Sequence, residues 1–245
     1  MNEVIFIGTS DAFGAGGRRQ SATLVRGDRG SILLDCGATT NSGLAELKIA
    51  REEIDSILIS HFHGDHFGGI PLFLFACLYE DQRRRPLEIA GPPEIEARVR
   101  RLADAMGHSL DDRDWSFPIV FRELPPGVKH EVGPAHVHAF ETHHQLEAHP
   151  HGYRVNLGSR TVVYTGDTGW FADLPRLSAG ADLLISECTL YDHQLDFHLS
   201  LDELCAHRSE FDVGSLILTH LGPSMSARRG QVELDTADDG LILKL

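Results

Sequence analysis

Cysteine is scarce in this sequence: Cys36, Cys77, Cys188 and Cys205 are widely scattered, with no CxxC pair among them. This excludes the disulfide framework of small secreted domains and leaves reduced, mostly buried thiols as the expectation. Long apolar runs are missing as well. The best candidate, Pro71-Leu-Phe-Leu-Phe-Ala-Cys-Leu78, falls far short of the roughly 20 residues that cross a bilayer and runs straight into charges, so no membrane span is expected. The opening Met-Asn-Glu-Val-Ile-Phe-Ile reads as a strand and lacks the basic, apolar and small-residue regions of a secretory leader. The expected location is therefore cytoplasmic. Positive charge is the third deficit. Against 36 acidic residues stand 22 basic ones, a formal net charge of −14, so the summed field repels polyanions and structured nucleic acid is a poor partner. What the chain holds in excess is histidine, 15 residues, more than packing or a surface requires.

With 245 residues and 42% hydrophobic content the chain can bury a real core, and one domain over residues 1–245 is expected. Short apolar, β-branched runs alternate with turn signals and a few helical patterns. The first half offers strands at Val4 to Gly8, Ala22 to Val25, Ser31 to Asp35, Ile54 to Ser60, Leu87 to Ala90 and Pro118 to Leu124. Helices are expected at Leu44 to Arg51, from about His66 to Tyr79, and at Glu94 to Met106. In the second half strands are expected at His136 to Thr142, Gly152 to Asn156, Thr161 to Gly166, Asp182 to Ser186, Leu216 to Thr219 and Leu241 to Leu245, with a helix at Leu201 to Arg208. Gly152 to Asn156 and Thr161 to Gly166 are expected to form a hairpin through Leu157-Gly-Ser. No linker or fixed-period repeat divides the chain. Two similar strand-rich α/β halves are best satisfied by two facing mixed sheets with helices outside, an αββα sandwich.

The most informative stretch is Ile57-Leu-Ile-Ser-His61-Phe-His63-Gly-Asp65-His66-Phe-Gly-Gly69. In an extended segment residues two apart point the same way, so His61 and His63 can grip one ion from one side. Where the chain turns into a helix, Asp65 and His66 project differently and can reach a second ion. Gly64 permits the tight turn, and Gly68-Gly69 allow close approach of the helix start.

This HxHxDH pattern resembles that of the metallo-β-lactamase superfamily, and other segments resemble it in the same order from about residue 3 to 244. Phe6-Ile-Gly-Thr-Ser-Asp-Ala-Phe13 looks like its opening strand and glycine turn, and Leu33-Leu-Asp35-Cys-Gly37 like its Asp-x-Gly strand end. Thr142-His143-His144 with Gly152-Tyr-Arg154 is similar to the third-histidine segment of the ribonuclease Z-like branch. Tyr164-Thr-Gly-Asp167-Thr resembles the bridging-aspartate motif, and Leu218-Thr-His220-Leu the final histidine. The resemblance implies that His61, His63 and His144 hold one divalent ion, that Asp65, His66 and His220 hold another, and that Asp167 bridges them. His143 is the neighbouring alternative to His144. Asp35 is expected to brace the motif loop. Imidazole and carboxylate ligands suit Zn2+, with Mn2+ or Fe2+ as alternatives. His63 stands where the superfamily's di-iron redox branch carries a carboxylate, which points to hydrolysis.

Two divalent ions set against two aspartates and a hydroxide leave about +1 of local charge, an attraction for a small anionic substrate. Two metals also suit phosphodiester cleavage. Ser186-Glu187-Cys-Thr189 and Phe197-His198-Leu-Ser200 resemble branch segments in which a glutamate orients a histidine near the leaving group. That implies His198 as general acid, Glu187 as the group that sets its tautomer, and Asp65 as a proton relay besides a ligand. The branch has His-Ser-Thr where this chain has His-Leu-Ser, and the alternative role for His198 is a cap on the helix that starts near Ser200. Between Arg154 and Asp167 there is room for a hairpin and no more, whereas bacterial ribonuclease Z inserts a tRNA-clamping arm there. The expected function is therefore a phosphodiesterase acting on a small phosphodiester, such as a cyclic nucleotide or a cyclic ribose phosphate. The alternatives are a lactone or thioester hydrolase, a tRNA 3′-processing endonuclease, and a metal-binding carrier on the same fold. The closing Leu241-Ile-Leu-Lys-Leu245 strand differs from the helical domain of glutathione thioesterases. Homodimerisation, common in this branch, is a further expectation.

Overall fold

The computed structural model describes residues 2–111 and 113–245. The strands are β1 (Glu3–Gly8), β2 (Ala22–Gly27), β3 (Gly30–Leu34), β4 (Ser56–Leu58), β5 (Leu87–Gly91), β6 (Ile119–Glu123), β7 (Lys129–Val132), β8 (Ala135–Glu141), β9 (His151–Leu157), β10 (Arg160–Tyr164), β11 (Ala181–Glu187), β12 (Val213–Thr219), β13 (Asp235–Thr236) and β14 (Ile242–Lys244). They form two seven-stranded sheets, ordered β14-β1-β2-β3-β4-β5-β6 and β13-β12-β11-β10-β9-β8-β7. Each is antiparallel on one side and parallel on the other.

The apolar runs are continuous because both faces of each sheet are covered. Along β1, Val4 and Phe6 point into the layer between the sheets, where they meet Val137, Tyr153 and Ile185. Ile5 and Ile7 point the other way, onto Leu44, Phe73 and Leu74. Those residues come from α1 (Thr40–Glu46) and, past the short α2 (Gly64–Phe67), from α3 (Ile70–Tyr79). α4 (Ile95–Ala105) covers the same face. The outer face of the second sheet packs Val163, Leu184 and Leu218 against Leu174 of α5 (Leu174–Ser178), Leu201 and Leu204 of α6 (Leu201–Ala206), and Met225 of α7 (Pro223–Ser226). The architecture is thus the expected αββα sandwich. No helix among the described residues is long and apolar enough to cross a membrane. Cys36, Cys77 and Cys188 are buried free thiols, and Cys205 is exposed.

Several boundaries differ from the sequence expectation. The first helix spans Thr40–Glu46, not Leu44 to Arg51, and ends before Lys48, whose φ of 56° is left-handed. The helix expected from His66 to Tyr79 is two, α2 and α3, divided at Gly68-Gly69. A Cβ at Gly69 would sit 2.3 Å from the Gly37 carbonyl oxygen, so this junction is pressed against the Asp35–Gly37 turn. β7 was not anticipated, because Lys129-His-Glu-Val carries too little apolar signal for an edge strand.

Arg83 is the largest fully buried side chain among the described residues. Its side chain is fully buried and donates to the carbonyls of Ile54, Arg85 and Pro86 at 2.9 Å and of Arg51 at 3.1 Å. Arg83→Met would strand those acceptors, and we expect it to cost about 2–4 kcal/mol, read as a lower urea midpoint at unchanged m value.

Candidate metal centre

Strand ends and their following turns deliver the candidate residues to one edge of the sandwich. His61 and His63 follow β4, Asp65 and His66 lie in α2, His144 follows β8, Asp167 follows β10, and His220 follows β12. All seven converge. His61, His63, His144 and Asp167 form one group of potential ligands, and Asp65, His66, Asp167 and His220 a second, each group with its ligand atoms within 4.8 Å of one another. Asp167 belongs to both. Its Oδ2 lies 3.7 Å from Nε2 of His61 and 3.9 Å from Nε2 of His144, while its Oδ1 lies 3.3 Å from Nε2 of His66 and 3.5 Å from Nε2 of His220. His143 stays on the exposed side, with its backbone amide bonded to Thr168 Oγ1 and its carbonyl to Gly169.

The hydrogen bonds on the far side of each ring decide which nitrogen is bare. His144 Nδ1 donates to the Phe197 carbonyl at 2.8 Å. Ser60 Oγ donates to Asp35 Oδ2 at 2.8 Å and so accepts from His61 Nδ1 at 3.0 Å. Nε2 of both rings is therefore an unprotonated lone pair, and both face Nδ1 of His63, at 3.1 and 3.2 Å. A hydrogen on His63 Nδ1 can serve only one of these two lone pairs at a time, whereas a cation among the three nitrogens would serve all of them. Burial, then the neighbouring His66, holds the His61 pKa well below the imidazole range, so His61 itself does not take up a second proton.

In the second group His66 Nδ1 donates to Asp35 Oδ2 at 2.7 Å, which turns Nε2 toward the carboxylates. That nitrogen and Asp167 Oδ1 are both buried without a hydrogen-bond partner. Burial lowers the His66 pKa, yet Asp167, Asp65 and Asp35 outweigh it and raise it well above the ordinary value. Burial likewise works against Asp65, but His66 and His220 hold its carboxyl below the usual range. The donor set, imidazole nitrogens with a shared carboxylate and orphaned buried atoms, fits two divalent cations.

Asp35 does what the sequence suggested and more. Besides His66 and Ser60 Oγ it accepts from the Ser60 amide at 2.7 Å and from the Tyr164 hydroxyl at 2.6 Å, all fully or nearly buried. The Tyr164 contact was not anticipated. Asp35 and His220 have left-handed φ values of 59° and 54°, strain that the surrounding bonds must hold.

Glu187 and His198 stand beside the two groups. His198 Nδ1 lies 2.8 Å from Glu187 Oε1, and its ring centroid is 5.0 Å from that of His144 and 5.7 Å from that of His220. Burial would lower the His198 pKa, but the Glu187 carboxylate prevails and raises it to about 9. The helix cap before α6 is made by Ser200, which accepts from the Glu203 amide, so His198 is not needed for it.

With this geometry the family can be named. The family described as Anti-Pycsar protein Apyc1 matches residues 2–236. The chain belongs to it. Its fold is that of the metallo-β-lactamase superfamily. It is similar to the ribonuclease Z of Mycobacterium sp. strain KMS, 28% identical over 247 residues that cover 92% of this chain and 86% of the relative. The metallo-β-lactamase fold protein YhfI of Bacillus subtilis superposes with a TM-score of 0.79 at 26% identity, covering all of both chains. The short form of human tRNase Z gives the same score and identity over 99% of this chain and 98% of its own. This Apyc1-family protein is a ribonuclease Z-like metallo-hydrolase.

Proposed function

We propose that the protein is a two-metal phosphodiesterase of small substrates, a cyclic nucleotide or cyclic ribose phosphate, with Zn2+ as the working ion. Divalent ions bound by His61, His63, His144, Asp65, His66, His220 and Asp167 would supply charge neutralisation on the phosphate oxygens and an activated water. The observation that carries the reading is the Glu187–His198 pair. Cleaving a phosphodiester expels an alkoxide, which needs a proton at the moment it leaves. His198, raised toward 9 by Glu187, holds that proton at neutral pH and sits next to ligands of both groups.

A cleft of about 500 Å³ opens beside His144, lined by His143, Gln145, Leu146, Glu147 and Phe197. It contains no lysine or arginine and one carboxylate, Glu147, so the attraction for an anionic group would come from the ions held by the ligand groups, while an uncharged ring can lie against Phe197 and Leu146. Phe197→Ala is expected to raise KM about tenfold for a substrate carrying a nucleobase, the weight of one lost base–aromatic stack. His149 and His151 border a separate hollow of about 280 Å³, and the His151 side chain is buried.

Processing of tRNA 3′ ends is the second reading, favoured by the likeness to ribonuclease Z. Against it, β9 and β10 are joined by a tight hairpin in which Leu157 pairs with Arg160, and the net charge is −14. One screen separates the readings. Zinc-loaded protein is offered cyclic nucleotides, bis(p-nitrophenyl) phosphate, a lactone, a thioester and a tRNA precursor. We expect turnover of the small diesters, abolished by chelator. Inertness toward every diester would overturn the proposal, and cleavage confined to the precursor would favour the second reading.

A further inference from the structure

We infer that the Thr189 hydroxyl is a positioning group that carries the hold of Glu187 across to His220, so that one carboxylate orients both the proton donor and a metal ligand. The inference rests on the reading of Glu187 with His198 as the acid pair and of His220 as a ligand. Its evidence is a short chain of contacts. Thr189 Oγ1 lies 2.8 Å from Glu187 Oε2, 2.9 Å from His220 Nδ1, 3.2 Å from the His220 carbonyl and 3.3 Å from His198 Nδ1.

A hydroxyl has one proton to give and two lone pairs to offer. Its nearest acceptor is the carboxylate oxygen, and charge-assisted bonds are the stronger ones, so the proton goes to Glu187. The hydroxyl then faces His220 Nδ1 as an acceptor, and that nitrogen must carry a hydrogen. His220 Nε2 is thereby left bare, 3.2 Å from Asp65 Oδ2, in the tautomer that ligation requires. The remaining contact to His198 is secondary, because that ring nitrogen already donates to Glu187 Oε1 at 2.8 Å.

Both oxygens of Glu187 are occupied on this account. Oε1 takes His198 and the Thr168 amide, and Oε2 takes the Thr189 amide and hydroxyl. The β-branched side chain is also held from behind. A Cβ on Gly222 would lie 2.4 Å from the Thr189 carbonyl oxygen and 3.2 Å from its Cγ2, so glycine at 222 is what lets the two segments approach this closely. His220 needs an external hold, since its own backbone sits at a left-handed φ.

The test is zinc binding, which requires no substrate. Metal-free parent, Thr189→Val and Thr189→Ser proteins are titrated with zinc against a chromophoric chelator, with circular dichroism confirming that each is folded. Valine keeps the shape and removes the hydroxyl; serine keeps the hydroxyl. We expect the weaker of the two zinc-binding steps to loosen about 10- to 100-fold in Thr189→Val and to return to within about threefold of the parent in Thr189→Ser. Glu187→Gln, which removes the charge at the end of the chain of bonds, is expected to loosen the same step. Parent-like zinc binding by Thr189→Val, or equal loss in the folded serine and valine variants, would sink the inference. Should Thr189→Val not fold, the Glu187→Gln and Thr189→Ser titrations decide it by the same criteria. A protein inert to phosphodiesters but showing this zinc pattern would lose the proposed reaction and keep the role of Thr189.

Discussion

Asp167→Ala is expected to lower phosphodiester turnover by at least about a thousandfold and to reduce the zinc retained after dialysis from two ions per chain to one or none. The expectation follows from where the carboxylate stands. It is the one side chain shared by both ligand groups, with one oxygen toward His61 and His144 and the other toward His66 and His220. Without it the first group retains only neutral imidazoles, and the second loses half of its carboxylate charge. Neighbouring cations repel one another, and a shared anion offsets that repulsion, so the loss falls on the occupancy of the pair and not on either ion alone. Asp167→Asn separates charge from shape. An amide keeps an oxygen donor but no negative charge, and it should bind zinc more weakly than the parent while exceeding alanine. Elemental analysis of dialysed protein, with turnover measured at saturating zinc, checks both parts. Parent-like stoichiometry in Asp167→Ala would remove the bridging role, and full activity at saturating zinc would remove its part in the reaction.

Some of this was legible in the sequence, for reasons that can be stated. His61, His63, Asp65 and His66 are close in the chain, and the two-residue period of a strand followed by a helical turn already separates them into two directions. His144, Asp167 and His220 lie far apart in sequence but each follows a strand, so a regular sandwich brings them to one edge. The choice between His143 and His144 could not be made from composition, because adjacent residues differ only in which way the backbone turns. It depends on the Phe197 carbonyl, 53 positions away, that takes up His144 Nδ1. Tyr164 and Thr189 escaped notice for a related reason. Their hydroxyls act through contacts with Asp35 and His220 at separations of 129 and 31 residues, and a single hydroxyl in a strand or loop carries no pattern. The break between α2 and α3 was hidden because Gly68-Gly69 reads equally as a helix start and as a junction. The Gly37 carbonyl pressed against Gly69 decides between them.

His198→Ala is the variant whose effect should depend most on the substrate. If His198 supplies the proton to the departing oxygen, its loss should cost about 10²- to 10⁴-fold in kcat where that oxygen becomes a poorly stabilised alkoxide, as in a cyclic nucleotide. With bis(p-nitrophenyl) phosphate the departing p-nitrophenolate is a stable anion that needs little protonation, and the same variant should lose far less. Zinc content should not account for the difference, because both substrates meet the same protein preparation. The Glu187 carboxylate raises the His198 pKa toward 9, against the opposing pull of burial, so the donor is protonated below that value and loses its proton as pH rises through it. Glu187→Gln removes the main support for the raised value, and the alkaline limb of kcat for the alkoxide substrate should move to lower pH. That limb should be weak or missing with the nitrophenyl ester, for which no proton is required. Equal losses on the two substrates in His198→Ala would instead assign the histidine to holding the shape of the site, through its contacts with the rings of His144 and His220.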